Sequence, residues 1–251
     1  MNATDRQGYD NQPAFTNSGD GFLYSSYREG DQTDIFYYNI ADSKIHRVSS
    51  TPESEYSPTP LSNKNYFSTV RVEMDGTQRL WQFNIDGTSP KIILDEIINV
   101  GYHGWGNDNI VGLFIVGPPN TFILANSLTG HSDLIVENAG RSIHKVPSEN
   151  AISFIHKLSD SEWWINKINL DNHFVSRIIR TLDGSEDYVW TPNGMILMAK
   201  GATIYKWNPL KDNTWIKIKT FEEHPLQNIN RLALSPNFDY LLLVSDRPDN
   251  K

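Results

Sequence analysis

The sequence predicts an all-β protein made of repeated sheets, and two observations lead to this fold class. Short runs of alternating or continuous apolar residues, such as FLYSS, DIFYYNI, RLWQFNI and TIYKWNP, recur between clusters of Gly, Pro, Asn and Asp, and long helical patterns are missing. The same local pattern returns at a spacing of roughly 40 to 45 residues. Both observations indicate a chain of similar β units.

The first repeated feature is an asparagine that ends one apolar run in each of the first five units. These residues are Asn39, Asn84, Asn126, Asn169 and Asn208. An Asn side chain at a strand end can accept a hydrogen bond from the backbone two residues on and thereby start a tight turn. We therefore predict a turn after the third strand of every unit.

The second repeated feature aligns the first strand of each unit. Six positions are equivalent in this alignment: Pro13, Pro58, His103, His144, Tyr188 and Leu232. A unit of this length with four short strands is the blade of a β-propeller, in which sheets pack face to face around an axis. The sequence thus predicts a single domain over residues 1–251, with blades near 9–50, 55–96, 100–138, 141–182 and 185–223 and a partial one at 228–251.

The last unit holds only two strands. It stops at RPDNK, where the first unit continues into its third strand DIFYYNI. We expect about five full four-stranded blades plus a two-stranded half-blade, with the remaining strands supplied by a segment upstream of Met1. Such a half-blade exposes a strand edge through which copies of the chain can associate.

The repeats resemble those of a known family. QPAFTNSGDG, VWTPNG and LALSPNF are similar to the start of the repeat in the TolB family of bacterial envelope proteins, often described as WD-like, and VSDRPDN is similar to its turn between the second and third strands. The resemblance covers nearly the whole chain. It implies a six-bladed TolB-like propeller, exported to the periplasm, that binds other molecules in envelope translocation.

Composition excludes several partners. The formal net charge is −8, the carboxylates are scattered, and no basic run is present, which argues against nucleic acid. No apolar stretch is long enough to span a membrane, and the first residues do not form a signal peptide. The chain has no cysteine, so disulfides and thiolate nucleophiles are excluded.

The first strand of each blade lines the central channel of a propeller, so equivalent positions there face one another. The residues that begin these strands are polar and chargeable, which predicts a binding site for a protein, peptide or glycan at the channel mouth. The candidates are Asp10, Asn11, Gln12, Glu55, Tyr56, Ser57, Tyr102, His103, Arg141, Ser142, His144, Glu186, Asp187, Tyr188 and Arg231.

An enzymatic alternative uses the two channel histidines. His103 and His144, with Glu55 or Glu186, could form the first coordination shell of Zn, Mn or Fe in a lyase or hydrolase that acts on a saccharide. No closely spaced ligand motif accompanies them, and no Gly-x-Ser-x-Gly sequence marks a serine nucleophile. A third interpretation is that the chain is the propeller domain that gates a larger hydrolase. The sequence names no cofactor, and it favours a non-catalytic binding module over an enzyme.

Overall fold

A computed structural model describes residues 2–28, 30, 32–221 and 226–246. It contains six antiparallel sheets, which we number in chain order. Sheet 1 is β1 (Asp10–Phe15), β2 (Gly21–Tyr27), β3 (Thr33–Asn39) and β4 (Ile45–Arg47); sheet 2 is β5 (Ser54–Pro60), β6 (Tyr66–Val72), β7 (Gln78–Asn84) and β8 (Lys91–Ile92); sheet 3 is β9 (Val100–Trp105), β10 (Ile110–Ile115), β11 (Thr121–Asn126) and β12 (Ser132–Glu137).

The second half of the chain continues the same pattern. Sheet 4 is β13 (Ala139–Lys145), β14 (Ala151–Ser159), β15 (Glu162–Asn169) and β16 (Val175–Arg180); sheet 5 is β17 (Tyr188–Trp190), β18 (Ile196–Lys200), β19 (Thr203–Trp207) and β20 (Ile216–Thr220); sheet 6 is β21 (Gln227–Leu234) and β22 (Leu241–Asp246). The prediction of an all-β propeller with five four-stranded blades and a further two-stranded sheet is confirmed. The predicted ends of the last two units, 222–223 and 247–251, lie outside the described residues.

The first strands of the six sheets close into a ring. β1, β5, β9, β13, β17 and β21 each contact the next, and β21 contacts β1. Each of these strands lies at the edge of its own sheet, so the remaining strands extend outward from the ring. Among the described ranges, no helix is long and apolar enough to cross a membrane.

The predicted turn follows the third strand in all five four-stranded sheets, and in four of them the asparagine side chain makes the predicted hydrogen bond. The Oδ1 atoms of four asparagines accept a hydrogen bond from the backbone N–H two residues on, at 2.9 Å in each case: Asn39, Asn126, Asn169 and Asn208. In sheet 2 a turn also follows Asn84, but the Asn84 side chain does not accept this bond; Asp86 Oδ1 instead accepts a hydrogen bond from the Thr88 N–H. Asn84 donates from its side chain to the Thr88 hydroxyl at 2.8 Å.

The core lies between the sheets as a series of apolar clusters. Between sheets 3 and 4, for example, the rings of Phe122 and Phe154 stack at 4.3 Å, and both side chains are fully buried. Burial of one such ring contributes about 1.5–3 kcal/mol. Alternation along β22 directs Leu242 toward the core of sheet 1, and Leu241 and Leu243 toward that of sheet 5. Sheet 6 is therefore packed on both faces.

Candidate functional site

A central cavity of about 740 Å³ lies inside the ring of first strands. All six sheets contribute residues to its lining. The lining includes the six positions that the repeat alignment made equivalent: Pro13, Pro58, His103, His144, Tyr188 and Leu232. The regular repeat therefore brings residues that are far apart in sequence around one space.

The central cavity extends toward the turns that join the first and second strands. Its lining there includes exposed polar residues, namely Asn17, Ser62, Asn63, Asp108 and Lys145, which we call the rim. Asn17 Nδ2 donates to the Leu61 carbonyl at 2.6 Å and so links the rims of sheets 1 and 2. The candidate residues that begin the first strands lie at the opposite end. The lining therefore includes both the rim and most of the candidate residues at the start of the first strands.

Ion pairs span the end opposite the rim. Asp187 lies between two guanidinium groups, those of Arg141 and Arg231, and accepts hydrogen bonds from both. Arg231 Nη2 also donates to the Tyr102 hydroxyl at 3.0 Å, and its guanidinium carbon lies 4.9 Å from the centroid of that ring. These four residues come from sheets 3, 4 and 6 and from the segment that leads into sheet 5. The contacts connect opposite sides of the ring at this end of the cavity.

Glu186 extends the ion-pair network but does not line the cavity. Its carboxylate oxygens lie 3.5 Å from Arg141 Nε and 2.9 Å from Lys157 Nζ. The Arg141 backbone N–H also donates to this carboxylate at 3.3 Å. Glu186 thus supports Arg141 from the side away from the cavity.

His103 is part of a hydrogen-bonded group that ties sheet 3 to sheet 2. Its Nε2 lies 2.7 Å from the Ser68 hydroxyl oxygen, which also accepts the Trp105 indole N–H at 2.9 Å and donates to the Thr59 carbonyl at 3.3 Å. With Nε2 protonated, all three of these bonds have a donor and an acceptor. Nδ1 is then a buried acceptor without a partner among the described residues. Burial lowers the pKa of His103 to about 3, so the imidazole is neutral.

The same arrangement recurs between sheets 5 and 4. The Ser153 hydroxyl accepts hydrogen bonds from the Tyr188 hydroxyl and the Trp190 indole N–H, both at 2.8 Å, and donates to the His144 carbonyl at 3.1 Å. Tyr188 here occupies the place that His103 occupies between sheets 3 and 2. The structure therefore gives His103 a role in joining adjacent sheets.

His144 lies next to this second group. Its Nε2 is 3.0 Å from the Ser142 hydroxyl oxygen, and its ring meets the Tyr188 ring edge to face at 4.8 Å. Burial lowers the pKa of His144 to about 4, and the nearby Asp187 carboxylate only partly offsets this. Both channel histidines are thus uncharged and hydrogen-bonded to serines.

Gln12 and Ser57 connect the first strands of sheets 1 and 2 at the cavity wall. Gln12 Oε1 accepts hydrogen bonds from the Ser57 backbone N–H and the Ser25 hydroxyl, both at 2.9 Å. Both Gln12 and Ser57 have a positive φ, 56° and 54°, although each precedes a proline. This conformation is disfavoured before proline, so both positions are strained and are held by their surroundings. The Ser57 hydroxyl is buried without a partner among the described residues.

Five sequence candidates do not line the cavity: Asp10, Asn11, Glu55, Tyr56 and Glu186. Asp10 accepts from Arg6 at 2.9 Å and from the Ser26 hydroxyl at 2.5 Å, and Asn11 Oδ1 accepts from the next backbone N–H. The Tyr56 hydroxyl accepts from Thr33 at 3.1 Å. In sheets 1 and 2 the lining begins only after these residues, at Gln12 and at Ser57.

Glu55 is fully buried away from the cavity. The hydroxyls of Ser49 and Thr51 donate to its two carboxyl oxygens, and Arg71 Nε lies 3.7 Å from one of them. Burial raises the pKa of Glu55 to about 7, and the two hydroxyls only partly offset this. Within the described residues, no group of three or more His, Asp or Glu side chains is arranged to hold a metal ion.

The fold resembles that of solved TolB structures. A protein assigned as TolB from Agrobacterium tumefaciens superimposes with a TM-score of 0.74 at 12% identity, over 97% of this chain and 93% of that one. The chain folds as a TolB-like β-propeller. TolB from Acinetobacter baumannii gives a TM-score of 0.63 at 13% identity over 81% of this chain, which spans only about half, 52%, of that longer protein.

The same propeller shape is shared with an enzyme. An oligogalacturonate lyase in complex with manganese matches with a TM-score of 0.63 at 14% identity, over 98% of this chain and 73% of the lyase. No protein-family model and no curated protein matches the sequence. At these identities the comparisons establish the propeller fold, and function has to be argued from the site.

Proposed function

We propose that the chain is a non-catalytic propeller module that binds a protein, peptide or glycan in the central cavity. The observation that supports this most is the cavity itself, about 740 Å³, with residues from all six sheets in its lining and an exposed polar rim. Ligand sites fall in the range of ~300–1,000 Å³. The ion pairs of Arg141, Asp187 and Arg231 lie across the other end, which favours entry of the ligand past the exposed rim.

The metal-dependent lyase or hydrolase is the second candidate. The fold that the chain shares with a manganese-containing oligogalacturonate lyase supports it. The local chemistry of the histidines supports it less, because the Nε2 atoms of His103 and His144 already lie within hydrogen-bond distance of serine hydroxyls. A metal would have to displace both contacts, so we place binding without catalysis first.

We also interpret sheet 6 as an incomplete sixth blade. β21 takes the place of a first strand between those of sheets 5 and 1, and β22 pairs with β21 on one edge. The other edge of β22 has no pairing strand among the described residues and is available to a second copy of the chain. The TolB-like fold further leads us to propose that the protein acts in the periplasm, in envelope translocation. Cell fractionation of the natural host with an antibody against the chain tests this location.

The binding proposal is tested with two defined probe sets, a glycan array and a phage-displayed library of random dodecapeptides. Ala14 lines the cavity, and Ala14→Trp fills part of it. Ala41, in an exposed turn of sheet 1, provides the matched control Ala41→Trp. The proposal expects probes that bind the wild type and Ala41→Trp but not Ala14→Trp. Ligands that bind all three proteins equally would place the site elsewhere.

A further inference from the structure

A second, smaller depression adjoins the central cavity. It has a volume of about 230 Å³, lies between sheets 1 and 2, and shares Asn17 and Pro60 with the lining of the cavity. We call it the side groove. Its volume is below the ~300–1,000 Å³ of an independent small-molecule site, so alone it accommodates about one large side chain. Because the two spaces share lining residues, they adjoin at the rim, and a ligand that reaches from one to the other passes over Asn17 and Pro60.

The apolar part of the side groove is suited to an apolar group. Leu23, Val48, Pro60 and Ile85 line it, and 39% of the Ile85 surface is exposed. The rings of Tyr37 and His46, 5.0 Å apart, also line it. Exposed apolar surface of this kind is stabilised when a ligand covers it.

Most polar groups of the side groove are already bonded to one another. The Thr16 hydroxyl donates to Asp20 at 2.6 Å, and Tyr37 also bonds to Asp20. Asn17 donates to the Leu61 carbonyl. A saccharide ring carries many hydroxyls and needs free donors and acceptors, which this set does not offer. A peptide side chain does not have that requirement.

Lys64 is the charged group that is left over. It lines the side groove, is exposed, and has no ion-pair partner among the described residues. An ammonium without an ion-pair partner beside an apolar groove favours an acidic group on the ligand.

We propose that the ligand of this propeller is an extended peptide whose chain runs from the central cavity into the side groove. It places a large apolar side chain over Leu23, Val48 and Ile85, with an adjacent acidic side chain paired to Lys64. This inference rests on the proposed function and specifies the class of its ligand.

The test uses synthetic peptides taken from the dodecapeptide selection and titrated by fluorescence anisotropy. Lys64→Glu and Ile85→Asp alter the side groove, and Lys91→Glu and Ile98→Asp are matched changes at exposed positions outside both spaces. We expect the enriched peptides to carry an acidic residue beside a large apolar one. Their affinity falls about tenfold in each groove variant and stays within about twofold in each control.

A second cavity variant is included because Ala14→Trp could lose binding by failing to fold. Ser62→Trp changes an exposed rim residue instead, and every variant is compared with the wild type by thermal melting. Peptides that lose binding in the cavity variants but bind both groove variants normally would overturn the groove inference and leave the proposed function standing. Cavity-dependent binding of glycans alone would overturn it too. If no probe of either class depends on the cavity, the proposed function itself fails.

Discussion

Arg231 and Tyr102 belong to sheets on opposite sides of the ring, yet Arg231 Nη2 lies 3.0 Å from the Tyr102 hydroxyl oxygen. The same guanidinium donates to Asp187 at 2.5 Å. This pair of contacts fastens sheet 6 to sheet 3 and to the start of sheet 5. Sheet 6 has two strands in the described part of the chain, and the cross-ring contact adds to the packing that holds it in the ring.

Replacing Arg231 should therefore destabilise the propeller. Arg231→Met keeps much of the side-chain volume but removes the hydrogen bonds to Asp187 and Tyr102. The side chain is 13% exposed, and loss of charged hydrogen bonds costs about 1.5–3 kcal/mol in the free energy of unfolding. Urea denaturation measures this. Arg180→Met is the control, since its ion pair is 51% exposed on the arginine side; equal stability losses in the two variants would contradict the assigned role.

Ser68 and Ser153 should be equivalent in their contribution to stability. Ser68→Ala leaves the His103 imidazole and the Trp105 indole without their shared partner, and each buried group left unpaired costs about 1–3 kcal/mol. Ser153→Ala should do the same through Tyr188 and Trp190. Ser161→Ala, in an exposed turn, is expected to change the free energy of unfolding by less than about 0.5 kcal/mol. If Ser68→Ala left the free energy of unfolding unchanged, the hydrogen bonds of Ser68 with His103 and Trp105 would not hold sheets 2 and 3 together.

The two channel histidines should make the protein less stable in acid. Burial lowers the pKa of His103 to about 3 and that of His144 to about 4, from an ordinary value of 6.5. Below pH 6.5 the unfolded chain therefore binds protons that the folded chain does not. Each histidine makes the free energy of unfolding fall by up to about 1.4 kcal/mol per pH unit as the pH decreases through this window.

Glu55 should act in the opposite direction. Its pKa is raised from 4.5 to about 7 by burial, so between these values the folded chain holds a proton that the unfolded chain has lost. Its contribution to stability is present below pH 4.5 and is lost as the pH rises toward 7. Between pH 4.5 and 6.5, His103→Gln should flatten the rise of stability with pH, and Glu55→Gln should steepen it. Urea titrations at several pH values measure both slopes; equal slopes in the two variants would refute the assignment.

The histidine contacts also predict the metal content. Because both Nε2 atoms already lie beside serine hydroxyls, protein purified without a histidine tag should contain transition metal well below one equivalent by elemental analysis. Stoichiometric metal that disappears in the His103→Ala, His144→Ala double variant would instead favour the lyase or hydrolase.

One edge of β22 pairs with no strand in the described ranges, and this predicts self-association. Edge strands present unpaired N–H and C=O groups that can pair with another chain. Sedimentation velocity should show a larger species as the concentration rises, and the amides of Leu241–Asp246 should exchange more slowly in it. A monomer at all concentrations, with unchanged exchange, would contradict this use of the edge.

Much of the ring could be predicted from the sequence because the features that build it are local and repeated. The asparagine turns and the first-strand positions recur at nearly constant spacing. The serine groups carry a similar signal that the alignment missed, since His103 and Tyr188 each follow their serine by 35 residues, and Trp105 and Trp190 follow by 37. The hydrogen-bond partner of His103 is Ser68, which lies in the preceding repeat. Because the sequence around His103 does not show this partner, the prediction assigned His103 to a ligand site.

Other features left no such signal. The contact between Tyr102 and Arg231 joins residues 129 positions apart and does not recur among the other described sheets. The first strands of sheets 1 and 2 contain register shifts around Gln12 and Ser57. One extra residue in a strand reverses which side chains face a given side of the sheet. The sequence does not show where such a shift occurs, so it could not predict that Ser57 lies in the cavity wall while Glu55 is buried away from it.

The most direct test of the account is an X-ray structure of this chain. We predict six sheets in a closed ring, with Pro13, Pro58, His103, His144, Tyr188 and Leu232 around one cavity and Arg231 in hydrogen-bond contact with Tyr102 across it. A structure in which sheet 6 is detached from sheet 1, or in which these six residues do not surround a common space, would contradict the cavity and the binding role proposed for it.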